Sequence, residues 1–113
     1  MSDCIFCKIT AGEFGHAKGG QGTEFVYEDE ICCAFRDLHP KAKTHILIVP
    51  KKHIPSIAEL GVDDQAIAGH LLNSAKIIGE KLNLPGYNLQ INVGKEGGQE
   101  IFHLHLHLMS NAG

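Results

Sequence analysis

The fold is decided by two short stretches near the C-terminus: YNLQINV at residues 87–93 and FHLHLHL at residues 102–108. Both alternate strictly between apolar and polar residues, and the polar residues of the second stretch are all histidines. Successive side chains of a β-strand point to opposite faces, so this alternation predicts strands with one face in the core. Two such strands in succession predict an antiparallel hairpin, with the asparagine face and the histidine face on the same side of the sheet.

Three further strands and a short helix are predicted from the N-terminal half. The strand-like runs are FVYE at 25–28, ICCAFR at 31–36 and HILIVP at 45–50, which are rich in β-branched and aromatic residues. Residues 4–11 form a candidate short helix, and a glycine-rich loop at 12–23 follows it. Together with the hairpin, these elements predict an α+β domain built on a mostly antiparallel sheet.

Residues 63–83 are predicted to form the one long helix. Asp63 is a candidate N-cap, and the sequence Leu84-Pro85-Gly86 ends the segment. Gly79 weakens the helix slightly but allows close approach of a neighbouring element. Apolar residues at helical spacing predict one broad buried stripe made of Ile67, Leu71, Ala75, Ile78 and Leu82, with Ala68 and Leu72 beside it.

Length and composition indicate one domain over residues 1–113. The chain has 43% hydrophobic residues and a formal charge of −3, a balance that argues against binding a nucleic-acid polymer. No apolar run is long enough to cross a membrane and no signal peptide is recognisable, so a cytoplasmic protein without a membrane partner is expected. Cys32 and Cys33 are predicted core residues. Cys4 and Cys7 form a C-x-x-C, which is half of a metal site or a redox pair.

The chemistry is expected at the three histidines of residues 103–107. Alternate residues of a strand lie about 6.6 Å apart, so the three imidazoles are predicted to form one surface that titrates near neutral pH. Gly97 and Gly98 precede them in a loop whose backbone N–H groups can approach a phosphate. Two chemistries fit: a metal site, or metal-free phosphoryl or nucleotidyl transfer through an attacking imidazole. Periodicity alone does not choose between them.

The segment HLHLHLM at residues 103–109 resembles the motif of the histidine triad (HIT) superfamily of nucleotide hydrolases and transferases. The resemblance extends along the chain to the Hint branch of that superfamily. It is carried by CIFCKITAGE at 4–13, YEDE at 27–30, THILIVPKKHI at 44–54 and GGQE at 97–100.

This resemblance implies a HIT-like fold, with a five-stranded antiparallel sheet, one long helix and one short helix. It also implies a homodimer with a continuous ten-stranded sheet. The implied activity is hydrolysis of purine nucleoside 5′-phosphoramidates, such as adenosine 5′-monophosphoramidate, without a catalytic metal. Three alternatives remain at this point: dinucleoside polyphosphate hydrolysis, a nucleotide-binding or scaffold protein with negligible turnover, and a zinc module without enzymatic activity.

The resemblance also implies a role for each histidine of the site. His105 is the nucleophile that becomes nucleotidylated, and His107 helps the leaving group depart. The main-chain carbonyl of His103 fixes the tautomer of His105, and His45 joins the polar cluster. His53 is undecided between a supporting role and a strand-end surface position, whereas His16, His39 and His70 are expected to take no part in the chemistry.

Nucleotide binding is assigned by the same resemblance. Asp37 is implied to bind the ribose hydroxyls, from which a carboxylate can accept hydrogen bonds. Asn92 is implied to contact the phosphate, and Gly98 to lie beside it. Gln99 and Glu100 are placed beside them, although Glu100 stands where many relatives carry Ser or Thr. The base pocket is implied to contain Phe6, Ile9, Phe35, Leu38 and Ile101. The alternatives are plain core packing for Phe6, Ile9 and Phe35 and loop capping for Asp37.

A structural zinc ion is a further implication, because some bacterial relatives carry the same C-x-x-C. The implied ligands are Cys4, Cys7, His45 and His103, and two thiolates with two imidazoles make a reasonable tetrahedral set. The alternative is a pair of unliganded thiols.

Overall fold

The computed structural model describes residues 4–12 and 24–112 of the chain. Two helices and five strands form the framework. In chain order they are α1 (Ile5–Thr10), β1 (Phe25–Glu28), β2 (Cys32–Arg36), β3 (Thr44–Pro50), α2 (Gln65–Lys81), β4 (Asn88–Gln90) and β5 (Leu106–Ser110).

The five strands make one antiparallel sheet, as the sequence predicts, and their order in it is β1-β2-β3-β5-β4. The central strand β3 is buried along its whole length. In the register of the sheet, His107 of β5 lies opposite Leu47 of β3 on one side and Gln90 of β4 on the other. The two alternating stretches therefore pair as expected, with the histidine and amide side chains on one face.

The two faces of the sheet carry different helices. On one face, α2 packs over a core that includes Ile46, Ile48 and Leu108. The opposite face is covered in part by α1, whose Phe6 packs with Phe35 and other apolar side chains of β2 and β3. Because His107 alternates with Leu106 and Leu108 along β5, its side chain lies on the face that carries α1.

The long helix begins two residues later than predicted. Asp63 belongs to a short 3-10 turn, and the side chain of Asp64 does not cap the helix. The Asp64 carboxylate instead accepts hydrogen bonds from the Gly61 N–H at 2.9 Å and from Lys52 Nζ at 2.6 Å. Leu72 was assigned to the buried edge of the stripe wrongly, since its side chain is 52% exposed.

Gly79 provides the close approach that the sequence predicts. A Cβ atom at this position would lie 2.6 Å from Cε2 of Tyr87, which is closer than side-chain atoms can pack. The absence of a side chain at Gly79 therefore lets the residue preceding β4 lie against α2.

Both alternating stretches are shorter as strands than predicted, and parts of their apolar faces are exposed. β4 is an edge strand of three residues with β5 on one side, so Tyr87, Leu89 and Val93 are only partly covered. Phe102 is 50% exposed because the chain joins the sheet only at Leu106. Before that point the Leu104 N–H donates to the Ile54 carbonyl rather than to a strand of the sheet.

The remaining predictions concern the two cysteines of β2, His70 and the loop at 12–23. Cys32 and Cys33 are buried core residues, as expected, and burial raises the pKa of Cys32 to about 11 and that of Cys33 to about 12. His70 donates to Asp29 Oδ2 at 2.6 Å and links α2 to the turn between β1 and β2. The loop at 12–23, apart from Gly12, and His16 within it lie outside the described residues. Within the described residues, no helix is long and apolar enough to cross a membrane.

Candidate functional site

The motif histidines are largely buried rather than on an outward face, and this corrects the sequence prediction. The ring of His103 has no exposed surface, and His105 is only 8% exposed. The cause is α1, whose Phe6 packs edge-to-face on both rings, with ring centroids 5.9 Å and 5.1 Å away. α1 therefore covers one end of the histidine face of the sheet and leaves the other end open.

The tautomer of His105 is defined by a main-chain carbonyl. Nδ1 of His105 lies 2.7 Å from the carbonyl oxygen of His103. A carbonyl only accepts hydrogen bonds, so Nδ1 carries the proton and donates it. The second ring nitrogen of a neutral His105 then carries a lone pair and no proton, which is the state a nucleophile needs.

His107 forms a hydrogen-bonded pair with His45. Nε2 of His45 lies 2.9 Å from Nδ1 of His107 and 3.5 Å from a carboxylate oxygen of Asp37. Burial lowers the pKa of His107 to about 4, with the neighbouring His105 and His45 rings adding to the effect. Burial also lowers the pKa of His45, and the charge of Asp37 opposes that shift. Both rings are therefore neutral at pH 7.

His105 and His107 lie at a cavity of about 820 Å³, large enough for a nucleotide. Asp37, Asn92 and Gly98 line this cavity, and Glu100 adds an exposed carboxylate to its wall. All five residues assigned to the base pocket line the same cavity: Phe6, Ile9, Phe35, Leu38 and Ile101. Leu38 is 89% exposed, so it stands at the rim and not inside the slot.

The loop before the motif is built around Asn92 and Gly98. The Asn92 side-chain amide donates to the Gly97 carbonyl at 2.8 Å, and Gly98 adopts a φ of +91°. A Cβ atom at Gly98 would lie 3.3 Å from Asn92 Nδ2. Glycine at this position therefore serves both the left-handed backbone and the close contact with the amide.

Gln99 was assigned to nucleotide binding, and its side chain makes other contacts in the structure. Its side chain is buried, and it does not line the cavity. Its Oε1 accepts the Gly94 N–H at 2.9 Å, while its Nε2 donates to the carbonyls of Pro55 and Ile101 at 2.6 Å and 3.0 Å. Gln99 therefore holds the loop to the body of the protein.

Sequence reasoning missed other residues of the cavity wall. The missed apolar residues, among them Ile5, Phe25 and Leu47, belong to elements that it did identify. The missed charged residues are Glu24, Arg36, Lys41 and Lys81, with His39 beside them. Lys81 lies at the C-terminal end of α2, and no local pattern relates it to the strand ends that form the rest of the wall.

Cys4 and Cys7 meet two histidines, but not the pair inferred from the resemblance. The ring of His53 replaces that of His45, which is engaged with His107 on a different part of the sheet. Nδ1 of His103 lies 3.3 Å from the Cys4 Sγ, and Nδ1 of His53 lies 3.1 Å from the Cys7 Sγ. The sequence feature that could have identified His53 as the fourth member is its position shortly after the end of β3.

The four donor atoms converge on one point and suit a metal ion. They lie within 4.8 Å of one another, and the two Nδ1 atoms of His53 and His103 face each other at 3.2 Å. Nε2 of His103 donates to the Pro50 carbonyl at 2.8 Å, so the Nδ1 lone pair of a neutral His103 points towards the thiols. Two sulfur and two imidazole nitrogen donors are a set that zinc prefers.

Comparison with known proteins identifies the family to which the chain belongs. A family model described as the HIT domain matches residues 18–113, which include all five strands, α2 and every histidine of the motif. The chain belongs to the HIT family. An uncharacterized HIT-like protein of Synechococcus elongatus is 43% identical over 108 residues, covering 95% of this chain and 89% of that protein.

Solved structures of HIT proteins share the fold. A HIT family hydrolase from Legionella pneumophila Philadelphia 1 aligns with a TM-score of 0.86 at 41% identity, covering 98% of this chain and 95% of that one. A histidine triad nucleotide-binding protein from Candida albicans aligns with a TM-score of 0.78 at 31% identity, covering 94% of this chain and 73% of that one. The α+β HIT fold inferred from the sequence is therefore confirmed.

Proposed function

We propose that this HIT protein hydrolyses purine nucleoside 5′-phosphoramidates through a nucleotidylated His105. The observation that carries the proposal is the hydrogen bond of His105 beside the cavity: Nδ1 donates to the His103 carbonyl, and in the neutral ring this leaves the other nitrogen with a lone pair. The similarity to a HIT family hydrolase and to a histidine triad nucleotide-binding protein supports the coarser part of the proposal, a hydrolase that binds a nucleotide.

The first step is attack of the His105 Nε2 lone pair on phosphorus. A bond forms between Nε2 and phosphorus while the bond from phosphorus to the leaving nitrogen breaks, and that nitrogen takes up one proton from solvent water and leaves as an amine. His107, neutral and hydrogen-bonded to His45, contacts the reacting phosphate and helps the amine depart.

The second step is hydrolysis of the nucleotidylated histidine. A water molecule attacks phosphorus, the bond from phosphorus to Nε2 breaks, and the nucleoside monophosphate forms. The proton lost by this water balances the proton taken up by the amine in the first step. Each turnover therefore consumes one water and returns His105 to its starting tautomer.

The rest of the cavity binds the nucleotide. The Asp37 carboxylate accepts hydrogen bonds from the ribose hydroxyls, and the Asn92 and Gly98 side of the loop receives the phosphate. An apolar slot that includes Phe6, Phe35 and others packs on the purine faces. These assignments agree with the position of each residue along one continuous cavity.

The test is release of AMP and amine from an adenosine 5′-phosphoramidate. We expect turnover by the wild-type protein, none by His105→Ala, and normal turnover by His70→Gln, which changes a histidine of α2 that does not line the cavity. A dinucleoside polyphosphate assayed in parallel should be hydrolysed much more slowly. Tight AMP binding without turnover of any phosphoramidate would replace the hydrolase with a nucleotide-binding protein.

A structural zinc ion is part of the proposal, with Cys4, Cys7, His53 and His103 as its ligands. The ion would tie α1 to the end of β3 and to the segment before β5. His105 and His107 are not among these four residues, so the proposed ion would leave both side chains free for the reaction with the phosphoramidate.

Metal analysis of two variants separates the ligand set found here from the one inferred from the resemblance. His53→Ala should weaken zinc binding at least about tenfold, whereas His45→Ala should keep its zinc, because His45 lies outside the cluster. Loss of zinc from His45→Ala, or wild-type protein that binds none under reducing conditions, would contradict the site.

A homodimer is also proposed, formed through the outer edge of β4, which pairs with no other strand among the described residues. Leu89 on this strand and the nearby Val93 and Phe102 are exposed apolar side chains, and an unpaired strand edge favours pairing with a second copy. Sedimentation should show a wild-type dimer that Leu89→Glu converts to a monomer. A wild-type monomer at micromolar concentration would contradict this assembly.

A further inference from the structure

A main-chain N–H group that has no role in the proposed mechanism determines which nitrogen of the His45 ring carries the proton. The main-chain N–H of Lys41 lies 3.0 Å from Nδ1 of His45 and donates to it. A backbone N–H only donates, so Nδ1 of His45 holds a lone pair. His45 is neutral at pH 7, since burial lowers its pKa, and its one ring proton therefore lies on Nε2.

The same reasoning continues to His107. Nε2 of His45 carries the proton, so it donates to Nδ1 of His107 at 2.9 Å, with the Asp37 carboxylate as a second, longer acceptor at 3.5 Å. Nδ1 of His107 is thereby an acceptor, and the single proton of this neutral ring lies on its Nε2.

We propose that the main-chain N–H of Lys41 is a positioning group that fixes the protons of the His45–His107 pair, so that His107 presents an Nε2–H donor to the cavity. The inference rests on the proposed function, because the phosphate in that cavity is what the donor would meet. It adds the group that determines which form of His107 the phosphate meets: a neutral hydrogen-bond donor and not an imidazolium.

The surroundings of the pair agree with this assignment. An added proton would have to sit on Nδ1 of His45, which faces the Lys41 N–H, or on Nδ1 of His107, which faces the His45 Nε2–H. Either position would bring two hydrogens face to face. The charged or titratable groups facing the pair are Asp37, which favours an added proton, and His105 and the Lys41 ammonium, which oppose it.

Proline at position 41 tests the role of the N–H directly, because proline has no backbone donor. Lys41→Ala is the matched control, since it removes the same side-chain charge and keeps the N–H. An amide-to-ester replacement at position 41, made by semisynthesis, removes the N–H with the lysine side chain in place. The ester variant provides the same test if the proline variant does not fold.

Nitrogen-15 NMR of the histidine rings gives the readout, because it distinguishes protonated from unprotonated ring nitrogens. Wild type and Lys41→Ala should show an unprotonated Nδ1 on both His45 and His107. The proline or ester variant should show a fraction of His45 with Nδ1 protonated. The titration midpoint of His107 should also rise by about one pH unit, as expected when one hydrogen bond that opposes protonation is lost.

Two results would overturn the inference: a proton on Nδ1 of His107 in the wild-type protein, or identical ring protonation in the proline, ester and alanine variants. Turnover of the phosphoramidate by the wild type is measured separately. Correct tautomers without turnover would refute the proposed function alone, whereas turnover with the opposite tautomers would refute only the role of the Lys41 N–H.

Discussion

Replacement of His107 by Gln should make the protein less sensitive to mild acid. The Nδ1 atom of a neutral His107 accepts a hydrogen bond from His45, and its Nε2–H faces the cavity as a donor. A Gln side chain offers one acceptor and one donor as well, but it has no titratable group. At pH 7.5 the free energies of unfolding of wild type and His107→Gln should be similar. At pH 5 the wild type should have lost more stability than the variant.

The sign and size of the effect come from the lowered pKa. Burial first, and then the two neighbouring rings, lower the pKa of His107 from 6.5 to about 4 in the folded protein. Between these two values the unfolded chain binds a proton that the folded protein does not, so stability falls as the pH falls through this window. A shift of this size gives about 2 kcal/mol between pH 7.5 and pH 5, reduced to about 1–2 kcal/mol by the water that reaches the half-exposed ring.

Urea unfolding at the two pH values measures this difference, with equal protein concentration and zinc content in every sample. Titration of the other histidines occurs in both proteins and largely cancels in the comparison. His39→Gln is the matched control for the replacement of a histidine by glutamine, since it changes an exposed histidine on a nearby loop. A wild type and a His107→Gln variant that lose equal stability, within about 0.3 kcal/mol, would refute the reasoning.

Three further predictions follow from individual contacts. Gly79→Ala should be about 1–3 kcal/mol less stable than Gly69→Ala in the same helix, because a methyl group meets Tyr87 at the first position and nothing within 4 Å at the second; thermal denaturation measures the difference. Gln99→Leu should lower the free energy of unfolding by about 2–3 kcal/mol in the same assay, because it leaves one donor and two acceptors without their partner. Asp37→Ala should raise KM for a ribonucleoside phosphoramidate about tenfold and remove the preference for this substrate over its 2′-deoxy form. Steady-state kinetics on the two substrates measure this, and a preference that survives in the variant would contradict the role of Asp37.

Alternation and helical periodicity predicted the fold because they report burial on one face of an element. The sequence of helices and strands and the pairing of β4 with β5 follow from such patterns, whereas the order β1-β2-β3-β5-β4 was not predicted. The ends of the elements were predicted less well, because they depend on contacts made far away in sequence. Leu104 pairs with Ile54 rather than with a strand, and Asp64 is drawn away from its helix by Lys52.

The candidate site likewise combines residues that the sequence identified with residues that only tertiary packing determines. Residues of the motif and of the cavity wall were identified by their resemblance to the HIT family, and the structure brings most of them to one cavity. The fourth member of the Cys4 and Cys7 cluster was assigned to His45 instead of His53. Both histidines lie on or next to β3, and only the packing of α1 against the end of that strand determines which one meets the thiols.

Mass spectrometry of the protein during turnover tests the central claim most directly. A rapidly quenched reaction with adenosine 5′-phosphoramidate should show an AMP adduct on the intact chain, and peptide mapping should place it on His105. The adduct should disappear when the substrate is exhausted and should never form in His105→Ala. An adduct on another residue, or turnover with no adduct in samples quenched at every stage, would contradict the claim that His105 is the nucleophile.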